Sequence, residues 1–253
     1  MSQKRSDKAR DEDRQIMKKK IIIISAICVS LALIVAALLV LFLHVIPKRE
    51  IEREQREFFE FLQQYYNDKS TSFAEENKTL GEVDVAFIGD SLTDGYDLGT
   101  YYPEMKVINR GIGGDTTHGV LARLDTSVIE PAPHVVVMMI GTNNLGDMFT
   151  DYEEILIKLK SELPDTMVVI LSIPPASGEY VERNGQIAIN NVKIKNLAEK
   201  YDYVYVDVFT PLFDFERNEL SAEYTTDGIH FTPLGYEVIT AEVKPVLEDL
   251  LSE

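Results

Sequence analysis

Cysteine is almost missing from this 253-residue chain: the single one, Cys28, sits inside an apolar stretch. The rest of the chain therefore has no disulfide and no cysteine-based metal site, and thiol catalysis is excluded. Histidine is scarce too, with four residues in all, so few groups can serve as a general base. Positive charge is the third shortage. From Lys48 onward 17 basic residues face 38 acidic ones, a net of −21. Such a surface repels nucleic-acid phosphates, whose binding depends on neutralisation by Lys and Arg, and nucleic acid is excluded as a partner. Neither an internal repeat nor a low-complexity tract is present. The 45% hydrophobic and 26% charged content is that of a folded protein, long enough for one sizeable domain with attachments.

Charge of either sign is absent from Ile21 to Pro47, where only Ser25, Ser30 and His44 interrupt an apolar run. At about 1.5 Å per residue, some 23 helical residues reach roughly 35 Å, enough to cross a bilayer core. A cleaved signal peptide has a shorter apolar region and a small-residue cleavage site, so the stretch reads as an uncleaved transmembrane anchor over 21–46. Eight Lys/Arg precede it, whereas Lys48, Arg49, Arg53 and Arg56 follow. The positive-inside rule then expects a cytoplasmic tail at 1–20 and everything after the anchor on the other side of the cell membrane. Residues 48–68 read as a helix with Glu52–Arg56 and Arg56–Glu60 pairs and a partial stripe of Phe58, Phe59, Leu62, Tyr65 and Tyr66. Polar residues 67–82 suit a linker, which makes 47–82 a juxtamembrane helix and linker and 83–253 the main domain. Asn77-Lys78-Thr79 also fits a glycosylation sequon.

From Val83 strands and helices alternate. Apolar runs predict strands at Val83–Ile88, Lys106–Asn109, His134–Ile140, Thr166–Ser172 and Tyr203–Val208. Helical patterns fall near Thr116–Leu124, Tyr152–Leu163 and Gln186–Lys200, with a last helix from Pro233 to about Leu251. That order belongs to an α/β domain with a parallel sheet covered on both faces.

Punctuation after the strands collects the reactive side chains. Gly89-Asp90-Ser91-Leu92 follows the first strand and sets a serine at the rim of the sheet, where open α/β folds take their ligands; Asp and Ser there are also ordinary helix caps. Asn109 to Thr117 is glycine-rich, and its backbone N–H groups can face an anion, although its spacing is not that of a dinucleotide site. Gly141-Thr142-Asn143-Asn144 follows the central strand; an asparagine amide there can donate to an oxyanion or simply serve a turn. In Thr226-Asp227-Gly228-Ile229-His230-Phe231, Asp and His are three residues apart in a loop before the last helix. His44 lies at the membrane edge, and His118 and His134 suit structural or surface positions. Only His230 has a carboxylate nearby in a loop. A serine hydroxyl needs such a base, and the base needs a carboxylate to fix its tautomer. Ser91, His230 and Asp227 can supply those roles; no further His or Cys is placed to make a metal site with the last two.

These four blocks, in this order, resemble those of the SGNH (GDSL-type) hydrolases over roughly residues 83–250. The Gly-Ile-Gly-Gly-Asp-Thr-Thr and Gly-Thr-Asn-Asn runs are similar to the platelet-activating-factor acetylhydrolase catalytic-subunit branch. The resemblance implies a flavodoxin-like three-layer α/β/α sandwich with a mainly parallel five-stranded sheet, and ester hydrolysis without metal or other cofactor. It further implies Ser91 as nucleophile, His230 as base and then acid, and Asp227 as its orienting partner. The oxyanion hole it implies consists of the Ser91 and Gly114 N–H groups with the Asn143 amide. Many members carry Asp where this chain has Asn144, so a changed supporting hydrogen bond with retained activity is expected. The substrate expected is a short acyl ester, an acetyl group on an envelope glycan or lipid. An acyltransferase using the same acyl-enzyme and a tethered binding protein without turnover are the rival readings. Loop 173–186 is expected either to line the pocket or to be an ordinary connection.

Overall fold

The computed structural model describes residues 17–19, 25, 30, 31, 33–35 and 38–252. The chain divides into two compact units between Glu60 and Phe61. The described part of the first is helical, with a π-helical turn at Leu41–Val45 and the start of a long helix α1, Ile46–Asn77. Ion pairs there run Lys48–Glu52 (3.9 Å) and Arg53–Glu57 (3.5 Å). They use the same i,i+4 spacing as the expected Glu52 and Arg56 pairs with different partners, and such exposed pairs differ by only a few tenths of a kcal/mol. Much of the expected anchor at 21–46 lies outside the described residues. Among the described residues no helix is long and apolar enough to cross a membrane.

The second unit, 61–253, holds five parallel strands: β1 Val85–Gly89, β2 Val107–Gly111, β3 Val135–Met139, β4 Met167–Leu171 and β5 Val204–Val206. Their order is β2-β1-β3-β4-β5, every neighbour pair parallel. All five residues of β1 and of β3 are buried, as central strands covered on both faces must be. The two-residue alternation of a strand sorts them between two cores. Phe87, Val137 and Leu171 point to one face, against Tyr236, Ile239 and Val243 of the last helix. Ile88, Met138 and Ile170 point to the other, against Tyr152, Ile155 and Ile187. A small antiparallel pair, β6 Phe213–Asp214 and β7 Glu219–Leu220, is added after β5.

The crossing helices are α2 Ser91–Asp94, α3 Thr117–Ala122, α4 Phe149–Glu162, α5 Asn184–Tyr201 and α6 Pro233–Leu250. From β1 the chain first runs outward to β2 and then returns to β3. The β1–β3 gap is thus the topological switch point, the place where this topology opens a crevice at the strand ends.

The first part of the expected linker at 67–82 is helical, because α1 continues to Asn77, and only 78–82 are irregular. Its polar residues have partners on the domain, which is why composition alone suggested a loop. Asn77 donates to the Thr126 carbonyl (2.7 Å) and accepts from Arg110 (2.9 Å), so the side chain of the sequon is already committed to the fold. Phe73, 4% exposed, lies against the guanidinium of Arg110 at 4.6 Å.

Candidate active site

Strand β1 ends where Gly89 meets the turn into α2. Asp90 caps that helix, accepting from the Leu92 N–H at 3.0 Å, and Ser91 is its first residue. The N–H of a first helical residue has no acceptor within its own helix. Close approach of α2 to the sheet requires Gly111 at the end of β2, where a Cβ would stand 2.2 Å from the Asp94 nitrogen. Tyr236 on α6 fixes the turn from the other side, donating its hydroxyl to the Leu92 carbonyl at 3.0 Å.

The loop before α6 arrives opposite. Ser91 Oγ and His230 Nε2 are 2.9 Å apart, and His230 Nδ1 lies 2.7 Å from Asp227 Oδ2. The three-residue spacing of Asp227 and His230 has a local cause. Asp227 Oδ1 accepts the N–H groups of Ile229 (3.0 Å) and His230 (2.9 Å), which curls the chain and leaves Oδ2 for the ring. Burial alone would raise the Asp227 carboxyl. The hydrogen bonds from the His230 ring and from those two N–H groups, with the attraction of His230, outweigh it and bring it to about 2. Thr225 closes the turn, donating to the His230 carbonyl at 2.9 Å and accepting from the Gly228 N–H at 2.8 Å.

Loop 173–186 proves to back this turn. Residues 173–177 are buried, and Ser177 donates its N–H to the Gly228 carbonyl at 2.9 Å. Asparagines on α5 hold the loop by its main chain: Asn184 pairs with both polar groups of Ala176, and Asn191 with both of Ile173, each bond 2.8 Å.

The glycine-rich loop and the segment after β3 are tied to one another. Gly114 has a φ of +77°, a conformation that a side chain would strain. Asn143 donates one amide hydrogen to the Asp115 carbonyl at 2.8 Å. Asn144 donates to Thr117 Oγ1 at 2.9 Å and accepts the Thr117 N–H at 3.4 Å, so the residue that departs from the common pattern ties the loop to the start of α3.

Beneath lies a buried ion pair that sequence reasoning missed. Arg123 donates to Asp115 Oδ2 (2.8 Å), to the carbonyls of Arg110 (2.8 Å) and Gly89 (3.0 Å) and to Ser127 Oγ (2.9 Å). One guanidinium thus joins the ends of β1 and β2 to the glycine-rich loop. Its trace in the sequence is the acid of the glycine block followed eight residues later by a lone arginine, two turns into a helical pattern. Burial raises the Asp115 carboxyl, while Arg123 pulls it back. His118 and His134 lie at the surface, His118 3.5 Å from Asp151 and His134 3.2 Å from Glu82.

Known proteins share this framework. The family model described as GDSL-like Lipase/Acylhydrolase matches residues 87–238. The bovine (Bos taurus) platelet-activating factor acetylhydrolase IB subunit alpha1 is 30% identical over 183 residues, 68% of this chain and 78% of that one. A Streptococcus pneumonia protein described, provisionally, as a platelet activating factor has 27% identity and a TM-score of 0.72, with 78% of this chain and 99% of that one covered. A GDSL-like lipase from Bacteroides thetaiotaomicron has 25% identity and a TM-score of 0.65, over 73% and 98% of the two chains. With blocks, fold and family in agreement, the chain belongs to the GDSL-like lipase/acylhydrolase family and is a serine ester hydrolase of that type.

Proposed function

We propose that Ser91, His230 and Asp227 are the catalytic triad of this hydrolase, and that it cleaves a short acyl ester. The observation that carries the reading is the unbroken relay from Ser91 Oγ through the His230 ring to Asp227, at 2.9 and 2.7 Å. As Ser91 Oγ bonds to the ester carbonyl carbon, its proton passes to His230 Nε2, and Asp227 steadies the imidazolium. The tetrahedral oxyanion rests on the Ser91 and Gly114 N–H groups and the Asn143 amide. Collapse expels the alcohol, which takes the proton from His230. Water then repeats the sequence on the acyl-enzyme and releases the acid.

The acetylhydrolase names of the relatives favour an acetyl group. The proposed setting is the cell membrane, with 21–46 as a single-pass anchor, the N-terminus cytoplasmic and the hydrolase domain outside, facing an envelope glycan or lipid. The uncharged run supports this, as do the exposed apolar side chains of Leu38, Leu39, Val40, Leu41, Phe42 and Leu43.

A p-nitrophenyl ester series from acetate to octanoate, with fluorophosphonate labelling, tests the chemistry. Wild type is labelled and prefers acetate, and Ser91→Ala does neither. Labelled Ser91→Ala would refute the nucleophile, and preference for octanoate would refute the short acyl group. Protease shaving of intact cells tests the anchor: a protected hydrolase domain would refute the orientation.

A further inference from the structure

Residues 61–77, the part of α1 within the second unit, precede the stretch matched by the family model. They nevertheless cover the glycine-rich loop. Leu62 packs on Gly114, where a Cβ would come within 3.1 Å of Leu62 Cδ2. Four residues on, Tyr66 donates its hydroxyl to the Gly119 carbonyl at 3.0 Å. Between these contacts lies a polar node. Tyr65 donates to Asp94 Oδ2 at 2.7 Å, and Lys69 donates to Asp94 Oδ1 at 2.8 Å. The same Oδ2 accepts the Gly113 N–H at 3.0 Å. Asp94 closes the turn of helix that Ser91 opens, so one carboxylate links the serine's own helix to the loop that carries Gly114.

An oxyanion donor contributes only if it is aimed before charge develops. Gly113 and Gly114 have no side chains to anchor them, so the aim of the Gly114 N–H depends on bonds to their main chain. A carboxylate accepting the Gly113 N–H can rotate away unless its other lone pairs are engaged. Here a phenol and an ammonium engage them, and the carboxylate is only 14% exposed. Taking the ester-hydrolase reading above as its basis, we infer that Tyr65 and Lys69 are positioning residues for the oxyanion hole, acting through Asp94 on Gly113 and thereby on the Gly114 N–H.

The test uses the full chain in detergent, with Tyr65→Phe, Lys69→Met and the double variant. Turnover of p-nitrophenyl acetate, the rate of Ser91 phosphonylation by a fluorophosphonate, and the melting temperature are measured. In the double variant kcat falls by about tenfold, as expected for a slightly misaimed donor, and phosphonylation slows in parallel. KM stays within about twofold, because the lost interaction belongs to the transition state. Lys69→Arg, which keeps a cation, retains most of the activity. Unchanged kcat with a lowered melting temperature would reduce α1 to a packing element and overturn the inference, as would a rise in KM alone. Should the double variant fail to fold, Tyr65→Phe removes a single hydroxyl and carries the same test. If wild type hydrolysed no ester, the esterase reading would fall, and the phosphonylation rates would still decide the role of Tyr65 and Lys69.

Discussion

Asn143 gives one amide hydrogen to the main-chain carbonyl of Asp115 at 2.8 Å, which holds the amide plane and leaves its second hydrogen for the oxyanion of the proposed mechanism. Truncating it should therefore harm the chemical step more than binding. Asn143→Ala is expected to lower kcat by about 10²- to 10³-fold, the usual cost of one oxyanion donor, with little change in KM. Steady-state kinetics on p-nitrophenyl acetate give the answer. A loss below about fivefold would mean that this amide does not face the oxyanion.

The pair formed by Arg123 and Asp115, with side chains 2% and 3% exposed, sits just below. Removing only the arginine leaves a buried carboxylate without its counter-charge. Arg123→Met should cost about 3–5 kcal/mol, whereas Arg123→Met with Asp115→Asn should cost less than the two single changes added together. Urea unfolding of the four chains in the cycle measures the coupling. Arg123→Lys cannot substitute, because one ammonium cannot reach Asp115, two strand-end carbonyls and Ser127 together.

Asp90 sets an opposite electrostatic problem. It is 1% exposed; Oδ1 accepts from Leu92, and Oδ2 has no partner. Burial, reinforced by the nearby Asp115 and opposed by the Leu92 N–H and by His230, raises this carboxyl to about 7. The folded protein thus keeps a proton that the unfolded chain releases near pH 4. Stability from this group is full below pH 4 and declines as pH rises towards 7, by at most about 4 kcal/mol. Asp90→Asn keeps an acceptor for Leu92 without the charge. Its melting temperature should exceed that of wild type at pH 8, with the gap shrinking towards pH 4. A gap that is independent of pH would show that Asp90 does not titrate in this window.

How far the sequence could be read depended on the kind of signal. Short apolar runs bounded by turn residues, such as Val-Val-Val-Met-Met-Ile, fit strands buried on both faces, and β1 to β5 lie where those runs fall. Ser91 and Asn143 stand at punctuation points just after β1 and β3, which the topology places side by side, whereas Asp227 and His230 come from the loop that leads into α6. Asp94 was illegible because its partners are distant in sequence or are main-chain atoms, and the Asp115–Arg123 pair left only an eight-residue spacing with no motif to mark it. Arg110 left a weaker trace: an arginine inside a strand, fully buried, needs a carboxylate. Its partner, Glu76, lies in the stretch that composition assigned to a linker.

That misplaced boundary yields a test of where the folding unit begins. A chain starting at Phe61 retains Phe73, Glu76 and Asn77, and with them the ion pair and hydrogen bond to Arg110 and the aromatic face beneath it. A chain starting at Val83 retains none of them and uncovers Arg110, Gly113 and Gly114. Losing Phe73 alone should cost about 3–5 kcal/mol, the range for deleting a buried aromatic side chain. The Phe61 start should therefore unfold in urea at nearly the same midpoint as the full chain, and the Val83 start at a clearly lower one. Equal midpoints for the two shortened chains would show that α1 rests on the domain without stabilising it.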